Sequence, residues 1–399
     1  MKSIKILFVN ERPFNPILGG IERVTDVLTK SLLLKGYTIY YLCGKVEEQK
    51  NVLNYDFPVS LYQLPEYGLF NSVENLQFYE ELLNRLKIDI VINQRGLNGG
   101  FNRMLAIGNV KKISVIHSKP NAQINHNIAR ILLFSNEFKE QLKKYVKICF
   151  YPIFYIRAIH KAKKMIKEAY RELVKYSDAI VLLSNNDKHE FLSNGINLEN
   201  KILCGIPNPN TFINIDNDIK EKEKVILYVG RFDQFEKNIL CLIKIWKHLF
   251  LHYPDWRLVL VGDGPDKNRV LKYIKNHQIK NVFIEGVQRE VDKYYRKASF
   301  ICLTSFYEGW GMTLTEGMSY GCIPCTFNNY GAARDIIDDG VNGCLIDAFN
   351  INEYSARLAE IMRDDIKREN MSRAAFEKVK EFSVENVVEK WELLFAELN

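Results

Sequence analysis

The sequence predicts an α/β protein of two doubly wound, Rossmann-like domains facing a central cleft. Three observations carry this. Short β-branched apolar runs alternate with longer amphipathic segments along the whole chain. The runs are apolar throughout, as strands buried on both faces of a parallel sheet are. The plan also occurs twice, on either side of GIPNPNTFINIDNDIKEKEK (205–224), where prolines and asparagines give way to charge. A length of 399 residues accommodates both copies, and the predicted boundary separates 1–206 from 207–383.

In the first half the strand candidates are IKILFVN (4–10), YTIYYLC (37–43), IDIVINQ (88–94), KKISVIH (111–117) and DAIVLLS (178–184). In the second they are KVILYVG (224–230), WRLVLVG (256–262), NVFIEG (281–286), SFICLTS (299–305) and NGCLI (342–346). The amino-terminal MKSIKILFVN has a basic start, but its apolar run is too short for a signal peptide and reads as a first strand. No segment approaches the roughly 20 apolar residues that span a bilayer. Eight scattered cysteines, several inside apolar runs, read as buried thiols of a reducing compartment. Cys322 and Cys325 form a C-x-x-C without a second Cys/His pair at ligand spacing, so core packing is the expectation there.

In doubly wound sheets ligands sit at the carboxyl ends of strands. Residues following the strands are therefore the candidates for chemistry. The first run leads to RPFNPILGGIERV, where Gly19 and Gly20 open a helix and let backbone approach a ligand, or simply form a tight turn. No G-x-G-x-x-G follows, which weighs against a dinucleotide enzyme. KKISVIH ends on His117. KVILYVG leads into GRFDQFEKN (230–238), which sets Arg231 and Lys237 where two cations suit a diphosphate, though a solvated surface pair has the same spacing. WRLVLVG ends on Gly262-Asp263-Gly264.

SFICLTS is followed by FYEGWGMTLTEGMSYG (306–321). Here Glu308 and Glu316 flank a glycine corner. Backbone N–H groups around Gly311–Leu314 would start a helix and face a phosphate. Glu316 would accept from two ribose hydroxyls, and Glu308 would reach the other side of the bound group. Acids near a helix start also stabilise its dipole, which accounts for Glu316 but leaves the glycines unexplained.

The E-G-W-G-M-x-L-x-E arrangement resembles the E-x7-E element of retaining nucleotide-sugar glycosyltransferases, specifically glycosyltransferase family 4 with its GT-B fold. The resemblance runs along most of the chain. GGIERV (19–24), His117, GIPNP (205–209), GRFDQFEKN, VGDGPDKNRV (261–270), FIEGV (283–287) and the stretch 317–346 fall in family order. It implies an N-terminal acceptor-binding domain and a C-terminal donor-binding domain, with a final helix near 384–399 crossing back onto the first. Gly19, Gly20 and Gly262 would lie at the donor site. Arg231 and Lys237 would neutralise its diphosphate, and the backbone near Thr313 and Leu314 would complete that pocket. Val287 would hold the base and Glu316 the ribose. Glu308 would contact the donor sugar and His117 would face the reacting centre; a His117 that only caps its strand is the plainer alternative. Arg12, Asn15 and Met312 lie near these motifs.

The implied reaction moves a sugar, with retention, from a nucleotide sugar to a hydroxyl of a saccharide acceptor. UDP is the expected nucleotide and a lipid-linked surface saccharide the expected acceptor. The expected enzyme is of hexosyl or N-acetylhexosaminyl type and acts in the cytoplasm. No cofactor is expected, because cations and helix N–H groups replace a metal at the diphosphate. The one D-x-D, Asp216-Asn217-Asp218, sits in the linker with no strand before it. A sugar-nucleotide epimerase of the same fold and a catalytically silent nucleotide- or membrane-binding subunit are the alternatives.

The charge of +7 is uneven. Residues 138–176 hold eleven Lys or Arg against three acids, so that this stretch carries +8. Phe134, Phe138, Leu142, Tyr145 and Cys149 mark one helical face; after Pro152, Met165/Ile166, Ala169/Tyr170 and Leu173/Val174 mark another. Basic amphipathic helices suit an anionic membrane surface on the inner face of the cell membrane, or a lipid diphosphate. No nucleic-acid module accompanies the charge.

Overall fold

The computed structural model describes residues 3–44, 55, 57–68, 70–96, 99–122, 143–212, 219 and 221–398, without the side chains of 99, 100, 102 and 143–155. The Asp216-Asn217-Asp218 triplet and the expected helical-face residues Phe134, Phe138 and Leu142 lie outside the described residues, as do the side chains of Tyr145 and Cys149. The chain divides into two compact units. The first comprises residues 1–183, 187–205 and 394–399; the second comprises 184–186 and 206–393.

The first unit runs β1 (Lys5–Asn10), α1 (Gly20–Leu34), β2 (Thr38–Cys43), β3 (Ser60–Gln63), α2 (Val73–Leu86), β4 (Ile90–Asn93), α3 (Gly99–Met104), β5 (Lys111–Ile116), α4 (Lys143–Tyr176), β6 (Ala179–Leu182), α5 (Lys188–Leu192) and β7 (Ile202–Gly205). Its sheet has the order β3-β2-β1-β4-β5-β6-β7, with every pairing parallel. The order turns back between β1 and β4, so the switch point opens beyond their carboxyl ends.

The second unit continues with β8 (Glu223–Val229), α6 (Ile239–Leu249), β9 (Arg257–Val261), α7 (Lys267–Asn276), β10 (Val282–Gly286), α8 (Asp292–Lys297), β11 (Ala298–Cys302), α9 (Met312–Met318), β12 (Ile323–Phe327), α10 (Gly331–Ile336), β13 (Cys344–Ile346), α11 (Ile351–Arg363), α12 (Asp365–Lys378) and α13 (Val384–Leu398). Its sheet is again all parallel, in the order β10-β9-β8-β11-β12-β13, with the reversal between β8 and β11. The last helix changes unit at Leu394, and only its end belongs to the first. There Phe395 meets Tyr37 at 5.7 Å between ring centroids.

All ten apolar runs are strands. Among the described residues three further strands escaped the pattern. β3 (SLYQ) is a half-exposed edge and lacks a continuous apolar run. β7 (ILCG) is the opposite edge and only partly buried. β12 (IPCTF) is fully buried but contains Pro324, which normally argues against an inner strand. Of the described cysteines, Cys43, Cys241, Cys302, Cys322, Cys325 and Cys344 are buried, as expected, and Cys204 is partly buried. Cys302, Cys325 and Cys344 occupy paired positions on β11, β12 and β13, and all three are buried.

The basic stretch differs from expectation. Pro152 does not divide it: α4 is one helix of 34 residues. A proline removes one N–H and strains the preceding turn, and a long helix carried on an apolar stripe bears that loss. The stripe is Ala158, Ala162, Ile166, Tyr170 and Leu173, all buried, and its last three residues pack in one cluster with Ile116, Ile180 and Leu182 of β5 and β6. Met165, expected on that face, is 41 % exposed. Among the described residues no helix is long and apolar enough to cross a membrane.

Candidate active site

The corner at the β8/β11 switch point is built on glycine. Gly262 has φ +136°, and a Cβ there would lie 2.0 Å from the carbonyl oxygen of Gly230. The close approach allows Gly230 N to donate to Val261 O at 3.0 Å and Gly262 N to Gly286 O at 2.8 Å. The ends of β8, β9 and β10 are thereby tied by backbone alone. This is a structural reason for Gly262, independent of any ligand.

The segment 230–238 leaves β8 as a turn held by its own acids. Asp233 accepts from the N–H groups of Phe235 (2.8 Å) and Glu236 (3.0 Å), and Asp266 accepts from Gln234 N at 2.8 Å. Gln234 bonds Asn238 and accepts Leu240 N, fixing the start of α6. The turn is fastened to the loop after β11, where Phe306 N donates to Glu236 O at 2.9 Å and Thr304 Oγ1 to Asn238 O at 3.1 Å.

Two of the expected charges meet here. Lys237 Nζ lies 2.7 Å from Glu308 Oε1, and Ser305 Oγ donates to the same oxygen at 2.7 Å. Both charged side chains are largely covered, Glu308 at 11 % exposure and Lys237 at 26 %. Arg231 is half exposed and pairs with Asp233 at 3.1 Å and with Glu236. Tyr228 donates to the Arg231 carbonyl at 2.8 Å. Burial, followed by the Glu308 charge, raises the Tyr228 and Tyr330 hydroxyls far above the ordinary phenol range. Both remain neutral.

Gly311, at φ +88°, stands in the left-handed region immediately before α9. Leu314 is buried, whereas Met312 and Thr313 are partly exposed at the helix start. Glu316 is drawn inward: it is 2 % exposed, and Tyr295 donates to its Oε2 at 2.8 Å. It is thus tied to α8 through Tyr295. Val287, after β10, is 75 % exposed. A cavity of about 910 Å³ lies elsewhere, beside Lys222, Ser299, Arg368 and Ser372 at the amino ends of β8 and β11. That is the wrong edge of a parallel sheet for the expected chemistry.

In the first unit, the corner after β1 and β4 is also occupied. Glu11 forms an ion pair with Arg95. Asn10 donates to Glu22 Oε1 at 3.2 Å, and a Cβ on Gly19 would lie 2.8 Å from the other oxygen of Glu22. Gly20 is the first residue of α1. Asn15 is a turn residue whose Oδ1 accepts Ile17 N, and Arg12 is exposed. His117, one residue past β5, lies with Nε2 2.5 Å from Gln94 Oε1; its Nδ1 is buried and has no partner among the described residues. Although part of the residue shows at the surface, the ring nitrogens are enclosed. Desolvation, with a smaller contribution from Arg95, pushes the His117 pKa down to about 3.

Sequence reasoning therefore missed Gln94, Arg95, Glu11, Ser305 and Tyr295. Gln94 and Arg95 carry a recoverable signal, since Gln94 ends a strand run and Arg95 follows it. Tyr295 carries none, because it reaches Glu316 from a separate helix. Among the described residues no cluster of three His, Cys, Asp or Glu side chains is arranged to hold a metal.

Residues 210–378 match the family model described as Glycosyl transferases group 1. The chain is 28 % identical over 220 residues to the amylovoran biosynthesis glycosyltransferase AmsD of Erwinia amylovora, covering 54 % of this chain and 61 % of that relative. It is 27 % identical to an N-acetylgalactosamine-N,N'-diacetylbacillosaminyl-diphospho-undecaprenol 4-alpha-N-acetylgalactosaminyltransferase of Campylobacter jejuni, over 91 % of this chain and 93 % of the relative. Among solved structures TarM superposes with a TM-score of 0.74 at 16 % identity over 99 % of both chains. A mutant of S. aureus TarM has been solved in complex with Fondaparinux, alpha-GlcNAc-glycerol and UDP. The fold is GT-B, two parallel-sheet Rossmann-like domains in one chain.

Proposed function

We propose that this protein is a retaining glycosyltransferase of family 4 that transfers a hexosyl or N-acetylhexosaminyl group from a UDP-sugar to a hydroxyl of a saccharide acceptor. The observation that carries the reading is the Lys237–Glu308 pair, with Arg231 beside it on the same turn, at the β8/β11 switch point inside the matched domain. UDP is favoured by its presence with TarM. A lipid-linked acceptor in surface polysaccharide assembly is favoured by the undecaprenol-diphosphate named for the Campylobacter relative.

The chemistry follows from charge. As the glycosidic bond breaks, negative charge develops on the diphosphate, and Arg231, Lys237 and the backbone N–H near Thr313 stabilise it without a metal, the Leu314 N–H being already donated to Gly311 O at 2.8 Å. To do so the two cations exchange their carboxylate partners for phosphate oxygens. Glu308 then faces the donor sugar, with Ser305 holding its carboxylate. The family resemblance implies front-face attack by the acceptor hydroxyl. Val287 offers main-chain contact to the base and Glu316 contact to the ribose, the latter requiring Glu316 to be reached at its buried position.

The exposed side of α4 is the proposed membrane contact, on the cytoplasmic face of the cell membrane. Arg157, Lys161, Lys163, Lys164, Arg171 and Lys175 are exposed there, with Ile156 (53 %) and Met165 (41 %) among them. Co-sedimentation with anionic but not neutral vesicles is expected, and equal, negligible pelleting with both would remove this part of the reading.

The transferase reading is tested in EDTA by thermal unfolding with UDP, GDP, ADP and CMP, followed by product analysis with UDP-sugars and a polyprenyl-diphosphate-linked saccharide. A nucleotide at a hundred times its Kd adds about 2.7 kcal/mol to stability. Stabilisation by UDP and a glycoside of retained anomeric configuration are expected. An isomerised donor without glycoside would instead identify an epimerase, and neither stabilisation nor product would leave a silent subunit.

A further inference from the structure

We infer that Gln94 is a positioning residue that holds His117 as the neutral Nε2–H tautomer, so that His117 presents the Nδ1 lone pair as a hydrogen-bond acceptor for a saccharide hydroxyl. The ligand's place rests on the transferase reading above; the tautomer does not.

The two residues are set by neighbouring parallel strands. β4 and β5 pair through Asn93 and Ser114, and Gln94 and His117 follow immediately on their carboxyl ends. Gln94 is anchored through its backbone N–H to Val9 O at 3.0 Å and is 1 % exposed. Its Oε1 lies 2.5 Å from His117 Nε2. In this orientation of the Gln94 carboxamide its oxygen, which only accepts, faces Nε2, and the proton is assigned to that ring nitrogen.

The other nitrogen supports the same assignment. Nδ1 is enclosed and has no partner among the described residues. An orphaned buried N–H is rarer than an under-satisfied acceptor, so the cheaper state leaves Nδ1 unprotonated. Arg95 adds positive charge nearby and, with burial, opposes the imidazolium. A lone pair with no donor among the described residues can accept one from outside them, and a sugar hydroxyl supplies it. This separates His117 from the cations of the second unit. It is neither a charge for the diphosphate nor a proton donor to the leaving group.

The test reads the tautomer directly. Long-range proton–nitrogen spectra of the 15N-histidine protein, with the His117 signals assigned by His117→Gln, report which ring nitrogen is protonated. Wild type is expected to show protonated Nε2 and pyridine-like Nδ1. Gln94→Glu, which keeps an acceptor at Nε2, should preserve that pattern. Gln94→Leu should lose it, with thermal unfolding verifying the fold of each variant. Adding UDP-sugar or acceptor saccharide should move the Nδ1 signal of wild type.

In steady-state kinetics Gln94→Leu should lower kcat at least tenfold, and Gln94→Glu should restore part of it. Protonated Nδ1 in wild type, or a tautomer unchanged by Gln94→Leu, overturns the inference whatever the activity. A tautomer that follows Gln94 in a protein that transfers no sugar and whose Nδ1 ignores both ligands upholds the positioning role and overturns the ligand assignment.

Discussion

The two sheets share one winding order, yet the corners at their switch points differ in kind. The β8/β11 corner is dense in charge, with Lys237 against Glu308 and Arg231 against Asp233 and Glu236. Among the described residues the β1/β4 corner has one ion pair, Glu11–Arg95, and beyond it the pair Gln94–His117. Identical topology thus fixes where ligands meet the sheet, while loop residues decide what is recognised there. On the proposed reading one corner takes an anion and the other uncharged hydroxyls.

The largest expected effect tests the charged corner. Lys237→Ala should lower kcat by about 10²–10³-fold, the usual cost of removing one preorganised group that stabilises developing charge. Steady-state turnover of the UDP-sugar measures it, and a variant within threefold of wild type would break the assignment of this corner to the diphosphate.

Next comes the backbone that supports the same corner. Gly262→Ala would force a Cβ into the Gly230 carbonyl and should cost about 3 kcal/mol or more of stability. At Gly286, also left-handed but with nothing within 4 Å, alanine should cost only about 1 kcal/mol. Denaturant unfolding of the pair sharpens the distinction between a glycine needed for close approach and one needed only for its dihedral.

The neutral corner makes a pH prediction. In the unfolded chain His117 binds a proton near pH 6.5, in the folded chain only near 3. Between these values the unfolded state binds more protons, so His117 makes folding less favourable as pH falls from about 6.5 toward 3. His117→Gln should lose less stability between pH 7 and pH 5 than wild type does. Equal losses in urea melts at the two pH values would show that His117 titrates normally.

The smallest effect concerns the internal competitor. Glu236→Gln should tighten UDP binding about two- to fivefold at low salt, because Arg231 then gives up one carboxylate, Asp233, rather than two for phosphate; at half exposure the pair is worth little more. The gain should fade in 0.5 M salt. Calorimetric titration at both salt concentrations reads it.

Much of this molecule is local in origin. Ten strands were legible because each is an unbroken apolar run, and continuous apolarity is what burial on both faces of a parallel sheet demands. Arg231, Lys237, Glu308 and His117 were legible for a second local reason: each follows such a run and so lies at a carboxyl end. β3 and β7 were hidden because edges need no continuous apolarity. β12 was hidden by Pro324, and the unity of α4 by Pro152.

The partners were not legible. That Lys237 meets Glu308 across 71 residues, that Tyr295 claims an oxygen of Glu316, and that Gln94 faces His117 follow from strand order and register, which no local pattern encodes. By itself the sequence determined which residues stand at strand ends and what charge they bring. Only the tertiary structure decided which are paired, buried or neutral, because pairing, desolvation and tautomer depend on neighbours brought close in space and remote along the chain.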